Sequence, residues 1–243
     1  MDTLGFIREC AKNELDGVEL LGVFLDSTDK DYLRTIRKTC ADLFVNVAMV
    51  SAGGHLTTSD DAKRANEVKD IAKWVEAASF LGAPCVRFFS GSGKELADGG
   101  AALETKVVAA MREVCDIGQK YGVTMALENH GGTTSEQLLG LFHKVNHPYL
   151  RFTLDVGNFP PNSHVGPNTY SDIEKCAPHA AIIHAKFFNV NADGSDKEFD
   201  WHKIHGILKK ARFGGYLSVE FEGEAPDEVG EMRRIAKFLK TLR

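Results

Sequence analysis

The sequence has no long run of apolar residues, no excess of basic charge and no closely spaced pair of cysteines. Its 243 residues carry a formal net charge of −5, so no basic field is available to attract a nucleic-acid backbone or an anionic membrane. No apolar segment is long enough to cross a bilayer, and the amino terminus lacks the sections of a signal peptide. These absences predict a cytoplasmic protein without nucleic-acid or membrane partners.

The five cysteines are widely spaced and form no C-x-x-C motif: Cys10, Cys40, Cys85, Cys115 and Cys176. An odd number at such spacings is untypical of a disulfide framework and of a zinc–thiolate site. We therefore expect reduced thiols that are mostly buried and behave as small apolar side chains.

Helical stretches alternate with short apolar runs, and glycine, proline, asparagine or aspartate mark the junctions. The predicted strands are Gly17–Leu21, Leu43–Val50, Pro84–Phe89, Val123–Glu128, Arg151–Asp155, Ala181–Phe187 and Tyr216–Phe221. The predicted helices cover approximately Leu4–Asn13, Lys30–Ala41, Asp60–Leu81, Ala101–Tyr121, Ser135–Val145, Tyr170–Cys176, Trp201–Ala211 and Pro226–Leu242. Strict alternation of this kind implies a parallel sheet, and the length matches one (β/α)8 barrel.

The strand count falls one short of a closed barrel. The chain starts with a helix, and Met1–Thr3 is too short to form a strand before it. We expect an α/β fold, a (β/α)8 TIM barrel with the first strand missing from this chain, as a single domain over residues 1–243. The strand edge left uncovered would favour a homo-oligomer.

Polar residues stand near the ends of four consecutive predicted strands: Glu128, Asp155, His184 and Glu220. The carboxyl ends of barrel strands open onto one face, so these side chains would converge there. Buried carboxylates repel one another unless a cation offsets their charge. Three oxygen donors and one nitrogen suit one divalent ion, Mn²⁺, Mg²⁺, Co²⁺ or Zn²⁺.

Further polar residues lie on or beside strand ends. The candidates for binding substrate are His55, Arg87, His130, Asn158 and Lys186. For Arg87 and Lys186 the alternative is an ion pair at the barrel mouth. Glu19 and Glu222 also lie near strand ends, without an assigned role. The segment S-G-S-G-K, residues 90–94, departs from a phosphate-binding loop at its flanking positions and predicts a flexible loop at the mouth.

Four segments in order, L-E-N-H-G-G, T-L-D-V-G-N, I-I-H-A-K and L-S-V-E-F-E-G, resemble the xylose-isomerase-like TIM barrels, in particular the sugar phosphate isomerase/epimerase branch. The resemblance covers essentially the whole chain. It implies that Glu128, Asp155, His184 and Glu220 are the metal ligands and that Glu128 and Glu220 also move protons. The family has an opening strand that this sequence lacks, and several relatives have a histidine where Asn158 stands.

The expected function is that of a divalent-metal-dependent isomerase or epimerase acting on a sugar or a sugar-derived ketose. A metal-stabilised enediolate would form when one glutamate removes a proton, and the second glutamate would return one. The alternative is a dehydratase of the inosose or 3-dehydroshikimate type on the same scaffold. A minor alternative is a DNA repair enzyme similar to endonuclease IV, although Arg87 and Asn158 occupy places where its additional histidines would be sought.

Overall fold

A computed structural model describes residues 1–242, in which one parallel sheet of seven strands follows chain order from β1 to β7. The strands are β1 (Gly17–Leu21), β2 (Asn46–Ser51), β3 (Cys85–Phe89), β4 (Thr124–Glu128), β5 (Leu150–Asp155), β6 (Ala180–Phe187) and β7 (Leu217–Phe221). Each strand pairs in parallel with the next along the chain. The predicted barrel of seven strands is confirmed.

Helices separate the strands and cover the outside of the sheet. They are α1 (Thr3–Lys12), α2 (Lys30–Leu43), α3 (Asp61–Leu81), α4 (Gly93–Tyr121), α5 (Ser135–Val145), α6 (Thr169–Cys176), α7 (Trp201–Lys210) and α8 (Glu228–Thr241). Short 3-10 helices cover Gly22–Phe24 and Ala177–His179. None of the helices in residues 1–242 combines the length and the apolar character needed to span a membrane.

The helix ends follow the local signals in the sequence. Asp60 caps α3 by accepting from two backbone N–H groups, and Asp200 caps α7 by accepting from the backbone N–H of Lys203. Gly82 and Gly122 end α3 and α4 in the left-handed conformation, with φ of 79° and 70°.

Two boundaries differ from the prediction by three residues or more. The second strand begins at Asn46 instead of Leu43, because α2 extends to Leu43 and Phe44 then ends it with a left-handed φ of 57°. The segment predicted as a flexible loop at residues 90–94 contains the start of α4, which Ser92 caps. Gly100, with φ 55° and ψ −157°, divides α4 into two helical parts, and the prediction captured only the second.

A large hydrophobic core lies between the sheet and the helices, while a smaller cluster packs inside the barrel. The inner cluster contains Ala48, Met49, Cys85, Ala126 and Ile182. Ala126 and Ile182 lie two residues before predicted ligands and therefore face the same side of their strands. The inner cluster thus forms the floor beneath the site. All five cysteines are free and buried, as predicted.

The barrel has a seam between its first and last strands. Among residues 1–242, β1 and β7 are the two edges of the sheet and do not pair with each other. Every residue of β7 is partly exposed, whereas the last four residues of β4 are buried. A strand buried on both faces carries its side chains in a fixed environment, so the barrel is well packed opposite the seam and looser along it.

Candidate metal centre

The carboxyl ends of β4 to β7 bring the four predicted ligands together. Glu128 ends β4 and Asp155 ends β5, while His184 and Glu220 lie within β6 and β7. In the parallel register Asp155 stands beside His184, and Lys186 stands beside Glu220. Strand alternation therefore places these side chains on the inner face, above the inner cluster.

Three of the predicted ligands form a tight group. One ligand atom from each of Glu128, Asp155 and His184 lies within 4.8 Å of the other two. Nδ1 of His184 is 3.5 Å from Oε1 of Glu128 and 3.7 Å from Oδ2 of Asp155. Glu220 reaches the same nitrogen, with its Oε1 3.1 Å away. The four predicted ligands thus converge around one imidazole nitrogen.

Within residues 1–242, two polar atoms of this group are buried without a hydrogen-bond partner, Oδ2 of Asp155 and Nδ1 of His184. The other oxygen of Asp155 accepts from the backbone N–H of Gly157 at 2.8 Å. Leaving buried polar atoms unpaired costs free energy unless a further group binds them. A divalent cation matches a donor set of carboxylate oxygens and one imidazole nitrogen, so the residues fit such an ion.

The ammonium group of Lys186 lies among three carboxylates beside this group. Its Nζ is 2.6 Å from Oε2 of Glu220, 2.8 Å from Oε1 of Glu222 and 3.0 Å from Oδ2 of Asp155. The contact with Asp155 is not aligned as a hydrogen bond. Burial opposes the charge of Lys186, but Asp155 and Glu220 outweigh burial and raise its pKa above the usual range. The ion pair considered for this residue is therefore present.

Gly157 makes room for that lysine. A Cβ atom at this position would lie 2.7 Å from Cγ of Lys186, which is too close for any side chain unless the lysine moves. The glycine two residues after Asp155 thus allows the lysine stem to pass next to the ligand strand.

Arg87 and Asn158 hold the two oxygens of Glu128. NH1 of Arg87 donates to Oε2 at 3.1 Å, and Nδ2 of Asn158 donates to Oε1 at 3.1 Å. The guanidinium of Arg87 also lies over the ring of Phe89, 4.5 Å from its centroid. Both residues, predicted as substrate contacts, therefore have protein partners, and contact with a substrate stays a prediction.

His55 and His130 lie outside the ligand group, and both side chains are exposed. Nε2 of His55 is 2.6 Å from Oε2 of Glu95, at the start of α4. The ring of His130 packs against that of Phe89, with 4.5 Å between centroids. The structure places neither histidine against the predicted ligands, so their roles as substrate contacts also stay predictions.

Glu19 on β1 belongs to the site, although the sequence pattern assigned it no role. Its Oε2 lies 3.0 Å from Nε2 of His184 and accepts from the Ser218 hydroxyl at 2.8 Å. Its Oε1 accepts from the hydroxyl of Ser51. Burial would raise the pKa of Glu19, but His184 and Ser51 lower it to about 2. The available signal was an acidic residue inside the apolar strand G-V-E-L-L.

The electrostatics of His184 follow from these carboxylates. Burial opposes its protonation, but Glu19, and then Asp155 and Glu128, outweigh burial and raise its pKa well above the usual range. An imidazole must be neutral at the nitrogen that binds a metal. A cation bound at Nδ1 would therefore replace a proton that the same carboxylates otherwise stabilise.

A groove of about 810 Å³ runs along the seam between β1 and β7. Its lining includes Glu19, Ser218 and Glu220, so it reaches the residues around His184 from the open side of the barrel. This volume is within the range of small-molecule sites in proteins.

Solved structures share the fold at low sequence identity. The structure of an L-ribulose 3-epimerase matches with a TM-score of 0.83 and 18% identity, covering 98% of this chain and 88% of the other. The probable 3-DHS dehydratase AsbF of Bacillus anthracis matches with a TM-score of 0.78 and 16% identity, covering 99% and 94%. A xylose isomerase-like TIM barrel protein of Mycobacterium smegmatis in complex with magnesium matches with a TM-score of 0.76 and 16% identity. That match covers 98% of this chain and 87% of the other.

A shorter similarity joins 84 residues, 35% of this chain, to the C-glycoside deglycosidase alpha subunit of Arthrobacter globiformis at 30% identity. That match covers only 22% of the length of the curated relative. A family model for the xylose isomerase-like TIM barrel matches residues 7–242, which is almost the whole chain. The chain therefore belongs to the xylose isomerase-like TIM barrel family.

Proposed function

We propose that this chain is a single-domain, divalent-metal-dependent epimerase or isomerase of a sugar or a sugar-derived ketose. The observation that carries the proposal is the group of Glu128, Asp155 and His184 with two buried, unpartnered ligand atoms. Glu220 adds a fourth donor 3.1 Å from the imidazole. The similarity of fold to an L-ribulose 3-epimerase supports the reaction class.

The bound ion would polarise the substrate carbonyl and stabilise the negative charge that develops when the neighbouring C–H bond breaks. Glu128, Asp155, His184 and Glu220 would hold it. The orphaned Oδ2 of Asp155 and Nδ1 of His184 are the atoms that gain a partner. The ion itself, among Mn²⁺, Mg²⁺, Co²⁺ and Zn²⁺, is left open by this donor set.

The proton transfers fall to the two glutamates. In epimerisation, one carboxylate removes the proton from the carbon next to the carbonyl, and the electron pair of the broken C–H bond moves toward the carbonyl oxygen. The other glutamate, in its acid form, gives a proton to the opposite face of the same carbon. Glu128 and Glu220 stand on strands separated by β5 and β6, so they can approach a substrate from different sides.

The two glutamates differ in their surroundings. The side chain of Glu128 is 2% exposed. Its Oε2 accepts a hydrogen bond from Arg87, and its Oε1 accepts one from Asn158. The side chain of Glu220 is 28% exposed, lines the groove, and pairs with Lys186 through one oxygen. Glu220 is therefore the carboxylate with the freer access to a substrate proton.

This difference favours a second candidate, a dehydratase, because elimination of water needs only one proton carrier. Glu220 would remove the C–H proton and then deliver it to the departing β-hydroxyl, which leaves as water while the C–C double bond forms. Similarity of fold to a probable dehydratase supports this candidate. The substrate would then be an inosose or a 3-dehydroshikimate-type ketone.

One assay separates the candidates. Ketoses, inososes and 3-dehydroshikimate are incubated with the protein and Mn²⁺, Mg²⁺ or Co²⁺ in D₂O, and products are followed by NMR and mass spectrometry. Epimerisation or isomerisation gives a product of unchanged composition with deuterium at carbon, while dehydration gives a product lighter by one water. No conversion of any substrate with any ion would contradict both candidates.

Variants then test the glutamates. Glu128→Gln and Glu220→Gln keep the shape of the side chains and should each lower turnover by about 100- to 10,000-fold. Glu222→Gln is the matched control, because Glu222 also contacts Lys186 but its side chain is 53% exposed and lies outside the predicted ligands. A much larger loss of turnover in the Glu220 variant than in the Glu128 variant favours the dehydratase, because Glu128 would then act only as a metal ligand, whereas turnover at the native level in both overturns the assignment.

A further inference from the structure

We propose that Glu19 is a positioning residue that orients the His184 imidazole so that Nδ1 faces the bound ion. The inference rests on the proposed metal site, and it adds to that site a residue from β1, the edge strand of the sheet opposite β7. Glu19 lies on β1, and its side chain is 8% exposed. It touches His184 through the ring nitrogen that faces away from the ligand group.

The hydrogen bonds around Glu19 define which partner donates. The hydroxyls of Ser51 and Ser218 both donate to its carboxylate, one to each oxygen. An ionised carboxylate can only accept, so Nε2 of His184 must donate to Oε2 across their 3.0 Å contact. Three donors thus surround one buried acceptor, which leaves the carboxylate little freedom to turn.

The consequence appears at the other ring nitrogen. In a neutral imidazole one nitrogen carries the proton and the other carries the lone pair. With one proton held at Nε2, a metal-bound His184 would present its lone pair at Nδ1, the buried atom that lies between Glu128, Asp155 and Glu220. A carboxylate on the outer nitrogen of a metal-binding histidine fixes both its tautomer and the orientation of its ring.

The contact between Glu19 and His184 also crosses the seam of the barrel. Backbone hydrogen bonds hold β4, β5 and β6 together, but within residues 1–242 no backbone pairing joins β1 to β7. The side chain of Glu19 bridges that seam by contacting Ser218 on β7 and His184 on β6. The orientation of a ligand on the closed part of the barrel therefore depends on a residue at its open edge.

Two variants of similar volume test the proposal. Glu19→Gln keeps an oxygen that accepts from Nε2, whereas Glu19→Leu removes every acceptor. Binding of Mn²⁺ and Zn²⁺ is measured by isothermal titration calorimetry, and the thermal unfolding of the metal-free variants checks that both are folded. We expect affinity to fall by about 10- to 100-fold in Glu19→Leu and by a smaller factor in Glu19→Gln.

A second readout follows the ring nitrogens directly. Protein labelled with ¹⁵N-histidine and loaded with Zn²⁺ is examined by NMR, with the His184→Gln variant used to assign the signals. The native protein should show a slowly exchanging proton on Nε2 of His184 and the metal on Nδ1. The Nε2 proton should exchange faster in Glu19→Leu and remain protected in Glu19→Gln.

The outcomes separate this inference from the proposed function. Native affinity in a folded Glu19→Leu variant, or Zn²⁺ on Nε2 in the native protein, overturns the role of Glu19 and leaves the metal site standing. Failure of the native protein to bind any divalent ion overturns the metal site as well. Should Glu19→Leu not fold, the native NMR spectrum and the Glu19→Gln titration decide, because a metal on Nε2 still contradicts the inference.

Discussion

The closed part of the barrel, around β4, β5 and β6, and the seam between β1 and β7 differ in how deeply their strands are buried. The last four residues of β4 and of β5 are buried, as are the last six of β6, whereas all of β7 is partly exposed. Asp155, His184 and Glu128 stand on the buried strands, and Glu220 stands on the exposed one. Close packing suits residues that hold a fixed geometry, while access suits the proton-transfer role that we propose for Glu220.

The largest expected effect contrasts a ligand from each region. Asp155→Asn should weaken divalent-metal binding by more than about 100-fold, beyond the range typical of outer hydrogen-bond partners, because it removes charge from the buried group. Glu220→Gln should weaken it less, because the side chain of Glu220 is 28% exposed and solvent already screens its charge. Calorimetric titration with Mn²⁺ measures both. Equal losses of affinity would mean that β7, at the seam, contributes as much to metal binding as β5 does.

A matched pair of valines tests packing. Val86 on β3 is fully buried, and Val219 on β7 is partly exposed against the same hydrophobic core. Val86→Ala should lower the free energy of unfolding by about 2 kcal/mol, through lost burial and the cavity left behind, and Val219→Ala by less than about 1 kcal/mol. Urea unfolding followed by circular dichroism measures the difference. A larger loss at Val219 would contradict a loose seam.

Hydrogen exchange sharpens the same contrast without a substitution. Alternate backbone N–H groups of β7 face the seam, where the part of the chain that the structure describes offers no neighbouring strand to accept them, whereas β5 is paired on both sides. We expect amides of β7 to exchange at least about tenfold faster than those of β5. Exchange followed by mass spectrometry of peptides from the two strands checks this, and equal protection would indicate that another segment or a second copy covers the edge.

The smallest effect concerns two buried thiols. Burial raises the pKa of Cys10, which lines the seam groove, to about 11 and that of Cys115, in the closed part, to about 12. The thiolate is the reactive form, so alkylation of both should accelerate about tenfold per pH unit between pH 7.5 and 9.5. Cys10 should react before Cys115 in the native protein, as read by mass spectrometry. In unfolded protein the two should react alike, and Cys115 reacting first would contradict the comparison.

The sequence was sufficient for the strand order and for the convergence of the four predicted ligands because both depend on local rules. Apolar runs and their periodicity locate the strands, and a parallel barrel necessarily gathers strand ends on one face. The predicted start of β2 was wrong because Leu43 and Phe44 continue the apolar run along the sequence. Only tertiary packing assigns these two residues to the end of α2.

The sequence could not predict which side chains contact one another at the site. Whether Arg87 and Asn158 reach a substrate or Glu128 depends on distances across neighbouring strands, which spacing along the chain does not encode. Glu19 illustrates this most clearly, because it meets His184 from a position 165 residues away. Only the curvature of the sheet, which brings β1 near β6 and β7, places the two side chains together.

The lysine beside Asp155 changes how loading with metal should be understood. A cluster of acidic groups without a cation would oppose its own folding, yet Lys186 already supplies a tethered positive charge to Asp155, Glu220 and Glu222. At the proposed metal site an incoming ion would therefore compete with a resident ammonium group, and metal binding would be an exchange of one cation for another.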